Sequence, residues 1–152
     1  MKTFISSTNG KVIEAFFNII HQDSRRAFNL AQENGVSIVV KIPLDSGWLS
    51  GKYNAESIFN DIRKRWTKED IKTRALLINR IKGFLSSEED IAQTAISFCL
   101  AYEAVSTVIP GNKNINQLLQ NIESTKNPIS NELRKKFENF YSEEIEKLKI
   151  PW

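Results

Sequence analysis

Apolar residues alternate along this chain between two rhythms. Short runs rich in β-branched residues recur at 12–20, 36–42 and 105–109, and helical spacing follows each one. Ala27, Phe28, Leu30 and Ala31 mark one face of a helix predicted over 24–34. Asp23 or Ser24 can cap it, and Gly35 stands where a left-handed residue is wanted. Ile71, Ala75, Ile78, Ile81 and Leu85 form the stripe of a helix over 67–85. Ile91, Ala95, Phe98 and Tyr102 do the same over 88–102, opened by a capping box of Ser86 with Glu89 or Ser87 with Asp90. Two more helices are predicted at 114–124 and 130–147, the last striped by Leu133, Phe137, Phe140, Tyr141, Ile145 and Leu148. A short strand is expected near 3–6. The run at 36–42 scarcely alternates, as a strand covered on both faces of a parallel sheet does not. Residues 43–54 carry two glycines and read as a loop.

Strands alternating with helices imply βαβ units on a parallel sheet. A closed eight-stranded α/β barrel takes about 250 residues, and this chain of 152 has room for roughly half of one. Composition changes the picture little: 41% hydrophobic, 26% charged and a net charge of +3 describe a soluble domain with both signs interspersed. No apolar run reaches membrane-spanning length, the N-terminus does not read as a secretory signal, and no membrane partner is expected. The single cysteine, Cys99, lies in an apolar helical stripe, which fits a buried thiol in a reducing cytoplasm.

Residues 105–121 carry the most chemistry. A short strand breaks at Pro110-Gly111, and a helix then opens with Asn112, Lys113 and Asn114. Unpaired N–H groups and the positive dipole end at a helix start favour an anion such as phosphate. Lys113 adds a full charge, and Gln117 and Asn121, four apart, offer amides on one face. Phosphate below and amides above suit a phosphorylated nucleotide.

With these residues in hand, the chain resembles the aldo/keto reductases. The resemblance runs from Ser6 to Asn121, in the order of that family's C-terminal half-barrel. Val12-Ile13-Glu14-Ala15-Phe16-Phe17-Asn18 is similar to its sixth strand with the terminal aromatic–Asn pair. Lys41-Ile42-Pro43-Leu44-Asp45-Ser46-Gly47-Trp48-Leu49-Ser50-Gly51-Lys52-Tyr53 resembles its seventh strand and loop. Asp61-Ile62-Arg63 resembles the Asp-x-Arg that follows, and the segment from Ile109 to Asn121 resembles the eighth-strand cofactor segment. The resemblance implies an α/β parallel-sheet half-barrel, the C-terminal half of a (β/α)8 barrel with a terminal amphipathic helix. It also implies NADP(H) at the mouth, with Lys113 toward the 2′-phosphate and Gln117 and Asn121 toward adenine. Gly111 and Asn112 belong to that segment, and Pro43, Leu44, Gly47 and Leu49 to the other cofactor loop. Ser6 and Ser7 resemble the pair that holds the nicotinamide amide. Glu14 stands where the family has Gln, and a carboxylate accepts from that amide but cannot donate to it. Lys41 stands where an aromatic residue or Arg packs beside the nicotinamide, and Lys does not stack as a planar group.

The resemblance puts the catalytic Asp, Tyr, Lys and His in the other half of the barrel, so no catalytic residue is assigned to this chain. His21 matches none of the four. The chain is therefore expected to be the cofactor-binding half of an NADP(H)-dependent reductase of aldehydes and ketones. The alternative is a non-catalytic half-barrel, a fragment or split-gene module, acting through a homodimer or a complementary N-terminal half. Arg63, Lys64, Arg65, Trp66, Lys68, Lys72 and Arg74 have the composition of a single-stranded nucleic-acid contact. Asp61, Glu69 and Asp70 dilute that charge, so a solvated helix face is the reading adopted and no nucleic-acid partner is expected.

Overall fold

The computed structural model describes residues 1–148, 150 and 151. Three parallel strands, β1 (Val12–Phe16), β2 (Ser37–Lys41) and β3 (Val105–Ile109), form one sheet in the order β1-β2-β3. Ile13 pairs with Ile38 and Ala15 with Val40, so one row of alternate residues shares a face. Those side chains, with Phe17, meet α2 (Phe28–Glu33), α3 (Lys68–Lys82), α4 (Ile91–Leu100) and α6 (Asn131–Phe140) in a single core. Phe98 sits among Phe17, Tyr102 and Phe137, with ring centroids 5.4 to 5.8 Å apart. Such aromatic clusters add about 0.5–1.5 kcal/mol per pair beyond burial.

The opposite face of the sheet is bare. Val12, Glu14 and Phe16 line it from β1, Val39 and Lys41 from β2, Thr107 and Ile109 from β3. Val12, Glu14, Thr107 and Ile109 are exposed. The run at 36–42 is thus covered on one face only, contrary to expectation: Ile38 and Val40 are buried, and Ser37, Val39 and Lys41 are partly open. The sheet does not close, and β1 and β3 are its two edges.

Local chemistry sets the element ends. Thr67 and Asp70 exchange hydrogen bonds in a capping box that opens α3. Asp90 alone caps α4, accepting from Ala92 and Gln93, whereas Ser86 and Glu89 close a turn before it. Neither Asp23 nor Ser24 caps α2: residues Asp23–Ala27 form a 3-10 turn, and Ser24 donates back to the Phe16 carbonyl at 2.9 Å. Gly35 takes φ 62° after α2, as the helix end requires. The strand expected over 12–20 stops at Phe16 because Asn18 turns the chain. Its side-chain oxygen accepts from the N–H groups of Ile20 and His21. The helix expected over 130–147 is α only to Phe140, then a π turn (Tyr141–Ile145) and a 3-10 turn (Glu146–Leu148).

The strand expected at 3–6 is a helix, α1 (Lys2–Ser7). Its ring of Phe4 lies over Gly10, where a Cβ would approach within 2.2 Å. Ile5 enters the core on the other side. Six residues with two apolar neighbours carry too short a pattern to separate helix from strand.

Candidate functional site at the strand ends

In a parallel sheet the C-terminal ends of all strands share one edge, and three segments leave that edge here. The first is the turn after β1. Asn18 is fully buried, and its amide nitrogen donates to the Ile42 carbonyl at 3.0 Å, tying the end of β1 to the end of β2.

The second is the loop after β2, and its backbone is strained. Ile42, Asp45 and Ser46 hold φ of 57°, 43° and 54°, followed by Gly47 at 95°. Positive φ is rare outside glycine and rarest for a β-branched residue such as Ile42. The Leu44 carbonyl accepts from the N–H groups of Gly47 and Leu49, at 2.9 and 3.1 Å. Pro43, Trp48 and Leu49 are buried and Leu44 is half-buried. Leu49 therefore belongs to the core rather than to an open surface. Arg63 clips the loop from outside, donating to the Ser46 carbonyl at 3.1 Å, to Tyr53 and to Asp61. Hydrogen bonds from Arg63 hold the Asp61 carboxyl well below the usual carboxylate range.

The third segment leaves β3. Asn114 caps α5 (Ile115–Glu123) by accepting from the N–H of Gln117 at 2.9 Å. The remaining first-turn N–H groups have no partner within the helix. The expected residues come together, but in pairs across the turn. The Lys113 N–H donates to Gln117 Oε1 at 2.8 Å, and Asn121 Nδ2 donates to Asn112 Oδ1 at 2.6 Å. Each amide thus has a second polar atom that these bonds leave unused: Gln117 a donor, Asn121 an acceptor. The Lys113 ammonium is exposed and enters no ion pair among the described residues. Gly111 has open space around its Cα.

Glu14 and Lys41 lie on the bare face of the sheet and pair with each other, Nζ to Oε1 at 3.2 Å. Ser6 and Ser7 do not join the site. They close α1, which precedes the N-terminal end of β1, so the chain enters the sheet there at the edge opposite Lys113. Ser6 Oγ donates to the Lys2 carbonyl at 3.1 Å, and both residues are exposed. The strand expected before this pair is a helix instead.

His21 has a structural partner: its Nε2 lies 3.4 Å from Asp45 Oδ1, and its ring packs on Phe16. Asp45 and Arg74, both fully buried, form a pair that no local sequence pattern announces. One signal was available, since Arg74 falls in the apolar stripe between Ile71 and Ile78 rather than opposite it. The basic run around Trp66 is no continuous surface. Trp66 is buried, Arg74 is inside the core, and Arg63 is bound to Asp61, which leaves no exposed ring for a base to stack on. No group of three or more metal-ligating side chains exists among the described residues. Among the same residues no helix is long and apolar enough to cross a membrane.

The aldo/keto reductase family model matches residues 10–142. No curated protein matches the sequence. Among solved structures, the chain is similar to an aldo-keto reductase from Bacillus halodurans, in its holo form (TM-score 0.70, 24% identity, 91% of this chain and 43% of that one). The apo form of that enzyme gives a TM-score of 0.68 at 23% identity, over 91% of this chain and 46% of that one. The glycerol dehydrogenase from Gluconobacter oxydans gives 0.72 at 15% identity, over 93% of this chain and 45% of that one. The chain thus spans less than half the length of the solved structures it matches. Its open three-stranded sheet corresponds to part of their barrel, and the chain belongs to the aldo/keto reductase family.

Proposed function

We propose that this chain is the cofactor-binding part of an NADP(H)-dependent oxidoreductase acting on aldehydes or ketones, and that it does not catalyse the reaction alone. The observation that carries the reading is the Pro110–Asn121 turn: an exposed lysine beside a capped helix start, with two amides projecting from the same helix. Its donor set fits the group. Lys113 and the first-turn N–H groups suit the dianionic 2′-phosphate. Gln117 Nε2 and Asn121 Oδ1 offer one donor and one acceptor, the complement of a purine edge. Gly111 leaves room for close approach of a ligand to the backbone. Asn112 holds Asn121 in place, and the loop of Pro43, Leu44, Gly47 and Leu49 borders the neighbouring strand end.

When bound, the nicotinamide supplies the hydride, and the protein orients it. Among the described residues, the three tyrosines are already engaged, which supports placing the proton donor outside this chain. Tyr53 Oη is engaged by Arg63, Tyr102 donates to Glu138 at 2.7 Å, and Tyr141 is buried beneath Asp23. Glu14 and Lys41 neutralise each other on the face that would look into a closed barrel, where they are available to the nicotinamide end. A cytoplasmic setting agrees with a lone buried thiol.

The test is a fluorescence titration of the chain with NADPH and NADH. An exposed lysine on a phosphate contributes about 1–2 kcal/mol once solvent screening is allowed for. Lys113→Ala is therefore expected to weaken NADPH binding about 5- to 30-fold and to leave NADH, which lacks that phosphate, nearly unchanged. Equal NADPH affinity in the two proteins would remove Lys113 from the reading. Turnover of a test aldehyde by the purified chain would overturn the claim that catalysis needs more than this chain.

A second reading rests on a separate observation, the bare sheet face and two open strand edges. The chain then acts by association, as a homodimer or with a complementary N-terminal half-barrel, whether or not it binds the cofactor.

A further inference from the structure

Away from the open turn after β3, one charged pair is sealed from solvent. Arg74 Nε lies 3.2 Å from Asp45 Oδ2, and neither side chain has measurable exposure. The guanidinium lies over the Trp66 ring at 4.3 Å, and its Nη2 donates to the carbonyl of Pro151. His21 approaches the other carboxylate oxygen. Four separate parts of the chain therefore converge: the turn after β1, the loop after β2, α3, and the segment around Pro151.

Stability is a poor explanation for this cluster. Taking a carboxylate and a guanidinium out of water costs several kcal/mol per ion, and well-packed apolar residues hold a core as well or better. A buried pair does fix position, because neither partner can leave the other uncompensated. What it fixes here is Asp45, the middle of the strained run from Ile42 to Gly47. Residues in sparsely populated backbone regions cost about 1–3 kcal/mol each and persist only where their surroundings over-determine them. Three clips do so: Asn18 on the Ile42 carbonyl, Arg74 with His21 on the Asp45 carboxylate, and Arg63 on the Ser46 carbonyl. In the middle clip both charged partners, Arg74 and Asp45, are fully buried, and Arg74 also reaches the carbonyl of Pro151 beyond α3.

We propose that Arg74 is a positioning residue: through Asp45 it holds the loop after β2 in its strained form, and it couples that loop to the segment around Pro151. In its functional aspect this rests on the cofactor reading above, because the loop borders the proposed site. Arg74 touches neither ligand nor reacting atoms, and acts through Asp45 alone.

The experiment separates position from stability with three proteins: Arg74→Met, Asp45→Asn and the double variant. Each is followed by urea unfolding, by hydrogen exchange of the amides of residues 46–51, and by NADPH titration. Each single variant leaves one buried charge without its partner and lowers the urea midpoint; the double variant removes both charges and regains most of it. The loop is released in all three. Exchange at residues 46–51 is expected to rise at least about tenfold even in the restored double variant, and its NADPH dissociation constant about tenfold. A double variant with wild-type exchange in this loop overturns the proposal. So does wild-type NADPH affinity in the double variant when the unaltered chain binds NADPH. If the unaltered chain binds no NADPH, the cofactor reading fails, and the exchange measurement still decides the lock. A chain shortened to residues 1–149 keeps the ion pair and loses the Pro151 carbonyl together with the core packing of Ile150, which an Ile150→Ala chain loses alone. The loop amides of the shortened chain are expected to exchange several-fold faster than those of the Ile150→Ala chain, and equal exchange in the two would remove the coupling.

Discussion

The uncovered surface makes a quantitative demand on the chain's behaviour in solution. Ile115, Leu118, Leu119 and Ile122 form a stripe along α5 with the spacing of a buried helix face, yet α5 buries none of its residues. With Val12 and Ile109 on the bare sheet face, these six side chains are between 44% and 73% exposed. Full burial of such a side chain gains about 1.5–3 kcal/mol, so covering the open half gains about 1 kcal/mol each. A symmetric pair of chains would gain about 12 kcal/mol from these groups, against an association cost of about 4–15 kcal/mol. For an association cost of about 4–8 kcal/mol the net gain is about 4–8 kcal/mol, a dissociation constant in the micromolar to millimolar range. Replacing Leu119 by Glu and Ile122 by Lys removes about 2 kcal/mol of that gain per chain and about 4 per dimer, a weakening of roughly 10³-fold. Neither side chain supports the fold, so unfolding by urea should stay the same within about 0.5 kcal/mol. Sedimentation velocity from ~1 µM to ~1 mM brackets the expected constant. A compact wild-type monomer across that range, without binding of a hydrophobic dye, would refute the reasoning, as would a doubly substituted chain that associates equally well.

Two further outcomes follow from buried groups. Asn18→Ala strips partners from the Ile20 N–H and the Ile42 carbonyl, and at about 1–3 kcal/mol for each orphaned group it is expected to cost about 3–5 kcal/mol in urea unfolding; a loss below about 1 kcal/mol would contradict the role assigned to Asn18. Burial pushes the Cys99 thiol up from its ordinary value of 9.0, so its stabilising contribution is complete below about pH 9 and is lost as pH rises further. From pH 9 to pH 10.5 that amounts to about 2 kcal/mol, at 1.36 kcal/mol per unit. Tyr141, also pushed up by burial, to about 12, adds to the alkaline loss in both proteins, so the difference between wild type and Cys99→Ala isolates the thiol. Equal pH slopes in the two proteins would show that the thiol does not titrate against burial.

The parts of this fold legible in the sequence are those whose evidence is contiguous. β2 and β3 each announce themselves within a few residues, through a β-branched run bounded by glycine or proline. The turn from Pro110 to Asn121 is legible for the same reason, because cap, lysine and amides lie within one turn and one helix. What the periodicity hides is which face of a strand is covered. Residues 36–42 read as doubly buried because Val39 is apolar, yet Val39 belongs to the bare row with Glu14 and Thr107. An apolar residue on that row is the mark of a surface meant to be covered by something outside these three strands.

Asp45 and Arg74 show the other limit. They are 29 positions apart, and nothing local to either one names its partner. Arg74 is legible as an anomaly, a guanidinium in the stripe of Ile71 and Ile78, and Asp45 as a carboxylate just after Pro43-Leu44 in a loop of buried aromatics. Only when α3 folds beside that loop do the two anomalies explain each other. A charge on an apolar stripe is therefore worth reading as half of a pair, with its other half sought in the segment that the stripe must cover. Here that segment is the strained loop beside the proposed cofactor turn, which is why the buried pair and the exposed lysine belong to one functional argument although they never touch.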